Sequence, residues 1–311
     1  MAEAAELGVH EDEYREPEIL EKSTELLRGA VDMHIHTAPD IFPRSVNSYE
    51  CAIQARDAGM RAVILKSHYE STAARAELVR DLTGFDAYGA LTLSYGVGGL
   101  NWHAVREAHW QGAKKLWMPT IHAKKFFALG NSVPTLFAKI PADREEGLYL
   151  LDGEGEMRKD VKEIVDYVAE AGMVLATGHV GPEEAFPLME YARSAGVKNL
   201  VLTHPNADFL GYSIEDMKAA AALGAHIEMN YAFVTEAVSK PVSMQYLADI
   251  VRAVGPQHCF LATDGGQRVN PVPVEAFRRF IAGFLTCGFT TDEVRAMTSD
   301  IPASLLGLDA K

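Results

Sequence analysis

Short apolar runs that end in polar residues alternate along the chain with helix-like stretches that close on glycine. The runs predict eight strands, at residues 30–36, 61–68, 87–95, 115–122, 173–179, 199–204, 225–230 and 259–264. Between them the period changes. Val161, Ile164, Val165 and Val168 recur at i, i+3, i+4 and i+7, one face of a helix, with Asp160 expected at its N-cap and Gly172 past its end. Ser213 with Asp216 predicts a capping box before an Ala-rich helix ending at Gly224. Pro182 suits a first helical position, with Glu183 and Glu184 next to it. Strands alternating with helices predict a parallel sheet, and uninterrupted apolar stretches such as 62–65 and 174–176 suit strands covered on both faces. Eight such units predict a (β/α)8 barrel, with an open doubly wound sheet as the alternative.

One connection breaks the rhythm. Fifty residues separate His122 from Met173, and an insertion of that length in a compact domain needs a reason. Residues 123–157 carry Lys124, Lys125, Phe126 and Phe127, then a hairpin signal at Asp152-Gly153-Glu154-Gly155. The aromatic content predicts an ordered cover over one barrel mouth, with a subunit interface as the alternative. Residues 18–27 predict a helix within an N-terminal extension, 1–29, ahead of a barrel spanning 30–308.

Composition narrows the classes. The 311 residues are 48% hydrophobic and 23% charged, enough to bury a sizeable core. Lys and Arg number 29 against 43 Asp and Glu, a net charge of −14, which argues against a general nucleic-acid binder. Cys51, Cys259 and Cys287 form no CxxC and no even framework, so they read as reduced thiols in a cytoplasmic protein. No apolar stretch approaches the length of a membrane span, and the Glu-rich N-terminus lacks the features of a secretory leader. The expected partner is a small molecule, with no nucleic acid and no membrane; self-association stays open.

Chemistry concentrates where the predicted strands end. His34, His36, His68, His122, His179 and His204 lie at or near such ends, and Asp264 closes the eighth. In a barrel those ends face one mouth. His34-Ile35-His36 is the sharpest feature, because residues i and i+2 of a strand share a face and two imidazoles can grip one ion. His179 and His204 are candidates for ligation or proton transfer. Asp264, before Gly265 and Gly266, reads as a turn residue or as a ligand that accepts a proton. Lys66 can bind a substrate carboxylate, form an ion pair or become a carboxylated bridge. His68 and His122 are candidates for substrate contacts, Arg44 and Arg268 for pairing with a substrate carboxylate, and Asn230 for facing the pocket.

The set His34-Ile35-His36, Thr177-Gly178-His179, Thr203-His204-Pro205 and Thr263-Asp264-Gly265 resembles the amidohydrolase superfamily. That resemblance, over about residues 30–308, implies a (β/α)8 metal-dependent hydrolase in which His34, His36, His179 and Asp264 bind a divalent ion, zinc by default. It implies that His204 binds a second ion or polarises the substrate carbonyl. Binuclear members place a carboxylated Lys or a Glu on strand four. The predicted fourth strand has neither at its end, so one ion is expected and two stay open. Such an ion lowers the pKa of bound water toward ~7, with Asp264 taking the proton. The implied substrates are small cyclic amides, esters or lactones that carry a carboxylate. The alternatives are a non-hydrolytic relative, closing an aromatic heterocycle by loss of water or decarboxylating, and a catalytically inactive binding protein.

Overall fold

The computed structural model describes residues 16–129, 146–237 and 240–308. Eight strands form one sheet in sequence order: β1 (Val31–His36), β2 (Ala62–Lys66), β3 (Asp86–Thr92), β4 (Ala113–Trp117), β5 (Val174–Ala176), β6 (Leu200–Leu202), β7 (Ala225–Asn230) and β8 (Cys259–Ala262). Helices alternate with the strands, and the architecture is a (β/α)8 barrel. The strands run parallel, with register pairs such as Leu116 with Leu175 and Leu202 with Ile227. All five residues of β2 are buried, as a strand covered on both faces requires.

The described residues fall into two compact units. The first lies within Met1–Leu65, Val79–Ala87 and Glu228–Lys311, the second within Lys66–Leu78 and Tyr88–Ile227.

The helices follow their sequence signals closely. Val161, Ile164, Val165 and Val168 form the buried face of the helix Lys159–Ala171, which ends at Gly172 in the left-handed region. Its N-cap is Arg158, so the expected Asp160 sits two residues inward, within the first turn; there its carboxylate takes the Arg158 guanidinium at 2.7 Å and complements the helix dipole. Ser213 and Asp216 make the predicted capping box, and Pro182 opens its helix. The N-terminal helix spans Pro17–Leu26.

Most strands stop earlier than their apolar pattern suggested. β4 ends at Trp117 rather than at 122, β5 at Ala176, β6 at Leu202 and β8 at Ala262. His68, His122, His179, His204 and Asp264 therefore sit in loops just beyond strands. The reason is local geometry: Gly178 has φ +69°, His204 φ +26° and Asp264 φ +45°, none compatible with an extended strand. A Cβ at Gly178 would collide with the carbonyls of Met118 and Pro119, so only glycine lets these loops approach.

The described ends of the insertion come together. Lys124 N donates to Leu148 O at 2.7 Å, and Leu148 N to His122 O at 2.7 Å. Leu150 N donates to the buried Glu184 carboxylate at 2.6 Å, which fastens the returning chain to the helix Pro182–Ser194. The predicted hairpin is present as a tight antiparallel bridge between Leu151 and Met157. Residues 130–145 lie outside the described residues.

Candidate metal centre

β1 alternates as the His-x-His spacing demands. Val31, Met33 and Ile35 are apolar, while Asp32, His34 and His36 share the other face, and all six residues are buried. β8 lies alongside, and the turn that follows it carries Asp264. His36 N donates to Gly265 O at 2.9 Å, and Ser45 N to Gly266 O at 2.9 Å. Gly266 has φ +108°, and a Cβ there would collide with the carbonyl of His36. The two glycines bring the turn against β1 and hold Asp264 in a left-handed conformation that a non-glycine residue adopts only when its surroundings dictate it.

The result is a compact triad. One oxygen of Asp264, Oδ1, lies 3.1 Å from Nε2 of His34 and 3.1 Å from Nε2 of His36. Ligand atoms of His34, His36 and Asp264 all fall within 4.8 Å of one another. Burial opposes ionisation of Asp264, but pairing with the two imidazoles outweighs it and holds the carboxyl well below the usual carboxylate range.

Both imidazoles of the triad have an outer partner. Nδ1 of His34 lies 2.6 Å from Oε1 of Glu228, both side chains being fully buried. Asn230 Nδ2 donates to the same Glu228 oxygen at 2.9 Å. Nδ1 of His36 faces Nη2 of Arg44 at 3.2 Å. Arg44 is anchored to Asp40 at 2.7 and 2.9 Å, so its guanidinium serves this loop and this imidazole. Beneath the triad, Asp32 accepts from Thr263 Oγ1 at 2.6 Å, Thr263 N at 3.1 Å and His34 N at 3.1 Å. Burial pushes Asp32 up to about 7, against the lowering effect of those hydrogen bonds.

The donor set fits a divalent ion. Two imidazoles and a carboxylate supply the nitrogen and oxygen ligands that zinc and its neighbours take. A guanidinium can only donate, so Nδ1 of His36 accepts from Arg44 and Nε2 holds the proton. For Nε2 to take an ion, that proton has to leave and Nδ1 has to gain one in place of the Arg44 hydrogen bond, because a neutral histidine binds metal through one nitrogen and keeps its proton on the other.

The second unit carries the other histidines of the predicted site, His68, His122, His179 and His204. His179 and His204 have ring centroids 5.0 Å apart, and His68 lies 6.1 Å from His179. Phe126 and Phe209 pack on His179 at 5.3 and 5.5 Å. His122 sits among Tyr95, Tyr69 and Phe127 at 5.0, 5.5 and 5.9 Å. Its Nδ1 accepts from Tyr95 N at 3.3 Å, and burial lowers its pKa to about 4, so it is neutral. His68 Nδ1 meets Thr120 Oγ1 at 2.9 Å. Lys66 is buried at the end of β2 with Nζ 4.7 Å from the Trp117 ring centroid.

Sequence reading named Asn230 but missed Glu228, Asp32, Lys115 and Asn206. Glu228 and Asn230 share a face of β7 by their i, i+2 spacing, the signal that identified the two histidines of β1. Asp32 stands in the same relation to His34. Lys115 was placed at the start of the fourth strand; β4 instead ends at Trp117, and Lys115 is fully buried two residues earlier, with Nζ 4.0 Å from the Trp117 ring centroid. The absence of a strand-four lysine therefore no longer argues for one ion over two. Asn206, two residues past His204, is buried, and neither atom of its amide group has a hydrogen-bond partner among the described residues.

The fold is shared with solved hydrolases. An amidohydrolase from Pseudomonas aeruginosa superposes with TM-score 0.61 at 15% identity, covering 91% of this chain and 98% of that one. The probable dipeptidase PvdM from Pseudomonas aeruginosa gives TM-score 0.62 at 11% identity, covering 93% and 98%. A dihydroorotase gives 0.56 at 15% identity, covering 91% and 70%. At these identities the likeness is one of fold. No curated protein has a matching sequence. The model of a family of unknown function, DUF6282, matches residues 29–228, well over half of the chain, and the protein belongs to that family.

Proposed function

We propose that the protein is a metal-dependent hydrolase of the amidohydrolase type, acting on a C–N or C–O bond of a small cyclic amide, ester or lactone. The observation that carries this reading is the triad: one Asp264 oxygen 3.1 Å from Nε2 of both His34 and His36. The hydrolases that share the fold support it.

His34, His36 and Asp264 would hold the ion, zinc by the chemistry of the donors. When bound, the ion supplies Lewis acidity and lowers the pKa of water. Asp264, ionised at neutral pH, takes the proton of the attacking water. His204 orients the substrate carbonyl by hydrogen bonding to its oxygen. Water adds to the carbonyl carbon, the C–N or C–O bond breaks, and the Asp264 proton passes to the leaving nitrogen or oxygen.

A second reading has one observation in its favour. Phe126, Phe127, Phe209, Tyr69 and Tyr95 surround His122 and His179, a lining suited to a flat aromatic substrate and to excluding water. Such a site suits closure of an aromatic ring with loss of water, or decarboxylation. Zinc-loaded protein incubated with cyclic amides, esters, lactones and aromatic acids separates the readings by product mass. Gain of one water supports hydrolysis; loss of water or carbon dioxide supports the second reading and removes the first.

A further inference from the structure

We infer that Glu228 is the positioning residue that presents His34 to the metal, by keeping a proton on Nδ1 and so directing Nε2 to the ion. The inference rests on the metal reading above and adds a residue to it.

The geometry leaves the ring little choice. Glu228 Oε1 is 2.6 Å from His34 Nδ1, and neither side chain has exposed surface. An unprotonated Nδ1 would set its lone pair against a buried carboxylate, a repulsion that no solvent screens. Nδ1 therefore donates. Asn230 Nδ2 lies 2.9 Å from the same oxygen and 3.3 Å from His34 Nδ1. Two N–H donors do not bond each other, so both aim at Oε1 and fix the carboxylate between them. With Nδ1 engaged by Glu228, Nε2 is the nitrogen turned toward Asp264 and an incoming ion. Outer carboxylates of this kind orient metal-binding histidines and raise their basicity.

The contrast with His36 sharpens the inference. His36 faces a guanidinium through Nδ1, which favours a proton on Nε2. His34 holds on Nδ1 the proton that a metal-bound imidazole keeps, and Glu228 is what holds it there.

The test uses the full-length chain and zinc. Wild type, E228Q and E228A are titrated against a chromophoric chelator, and ring nitrogen signals of His34 are recorded by 15N NMR, assigned through H34Q. Gln keeps an oxygen that accepts from Nδ1, so E228Q should keep the Nδ1–H tautomer and most of the affinity. E228A should lose about 10–100-fold in zinc affinity. Equal affinity of E228A and wild type overturns the inference, as does E228Q binding as weakly as E228A. Should E228A fail to fold, an Nε2–H tautomer in the metal-free wild type overturns it alone. Wild type that takes up no zinc contradicts the metal reading itself, whereas uptake unaffected by E228A contradicts only the role of Glu228.

Discussion

Nη2 of Arg44 lies 3.2 Å from Nδ1 of His36, a donor placed against the nitrogen that would carry the proton in a metal-bound imidazole. The same guanidinium is held by Asp40, with both side chains almost fully buried. Arg44 therefore opposes metal uptake at His36 through both its charge and its hydrogen.

Arg44→Gln replaces that donor with a side chain whose oxygen accepts from Nδ1–H. Zinc affinity should rise several-fold in chelator competition. Stability should fall, because Asp40 is left as a buried carboxylate without its partner, a loss of about 3–5 kcal/mol. Weaker zinc binding in a folded Arg44→Gln would show that Arg44 supports the site instead.

Asp264→Asn keeps the size and one ligand oxygen but takes no proton at neutral pH. Turnover should fall by roughly 10²–10⁴-fold, with further loss if metal binding is disturbed. Circular dichroism should show the fold intact. Normal turnover at normal metal content would move the proton-accepting role to another residue, His204 first.

Gly266→Ala puts a Cβ into the carbonyl of His36 at a φ of +108°. Backbone strain of that kind costs of order 1–3 kcal/mol. The turn that holds Asp264 should shift away from β1. A lower melting temperature together with lost zinc is expected; unchanged zinc affinity would mean that the turn does not hold the triad in register.

Much of this was legible in the sequence. The eight repeated units identified the barrel because buried parallel strands need no alternation, and glycine closes most helices. His34 and His36 were readable because a strand's two-residue period is strict. Asp264 was readable from its glycines, which the close approach of Gly266 to His36 explains. Strand ends were not readable: the apolar pattern continues past Trp117 into Met118 and Ile121, while the backbone leaves the sheet. Arg44 looked like an anion site because sequence cannot show that Asp40 already engages it. Glu228 was passed over because an acidic residue on a strand gains meaning only when its partner on another strand is known.

His122 offers a pH signature. Its pKa falls from an unfolded value near 6.5 to about 4, through burial. The unfolded chain therefore binds more protons between those values, so this contribution to stability is complete above about pH 6.5 and is lost as pH drops toward 4. His122→Asn keeps an oxygen near the Nδ1 position for Tyr95 N–H and cannot titrate. Melting temperature should decline less for the variant than for wild type between pH 6.5 and 4.5. Parallel declines would remove His122 from the acid response.

The central claim is that His34, His36 and Asp264 hold a divalent ion. Elemental analysis of the full-length chain, purified without added metal and then equilibrated with zinc and desalted, tests it most directly when paired with His36→Ala. At least one zinc per wild-type chain is predicted, with a folded His36→Ala retaining less than a tenth of that. A wild type that leaves the column without zinc, or a His36→Ala that keeps the full amount, would contradict the account.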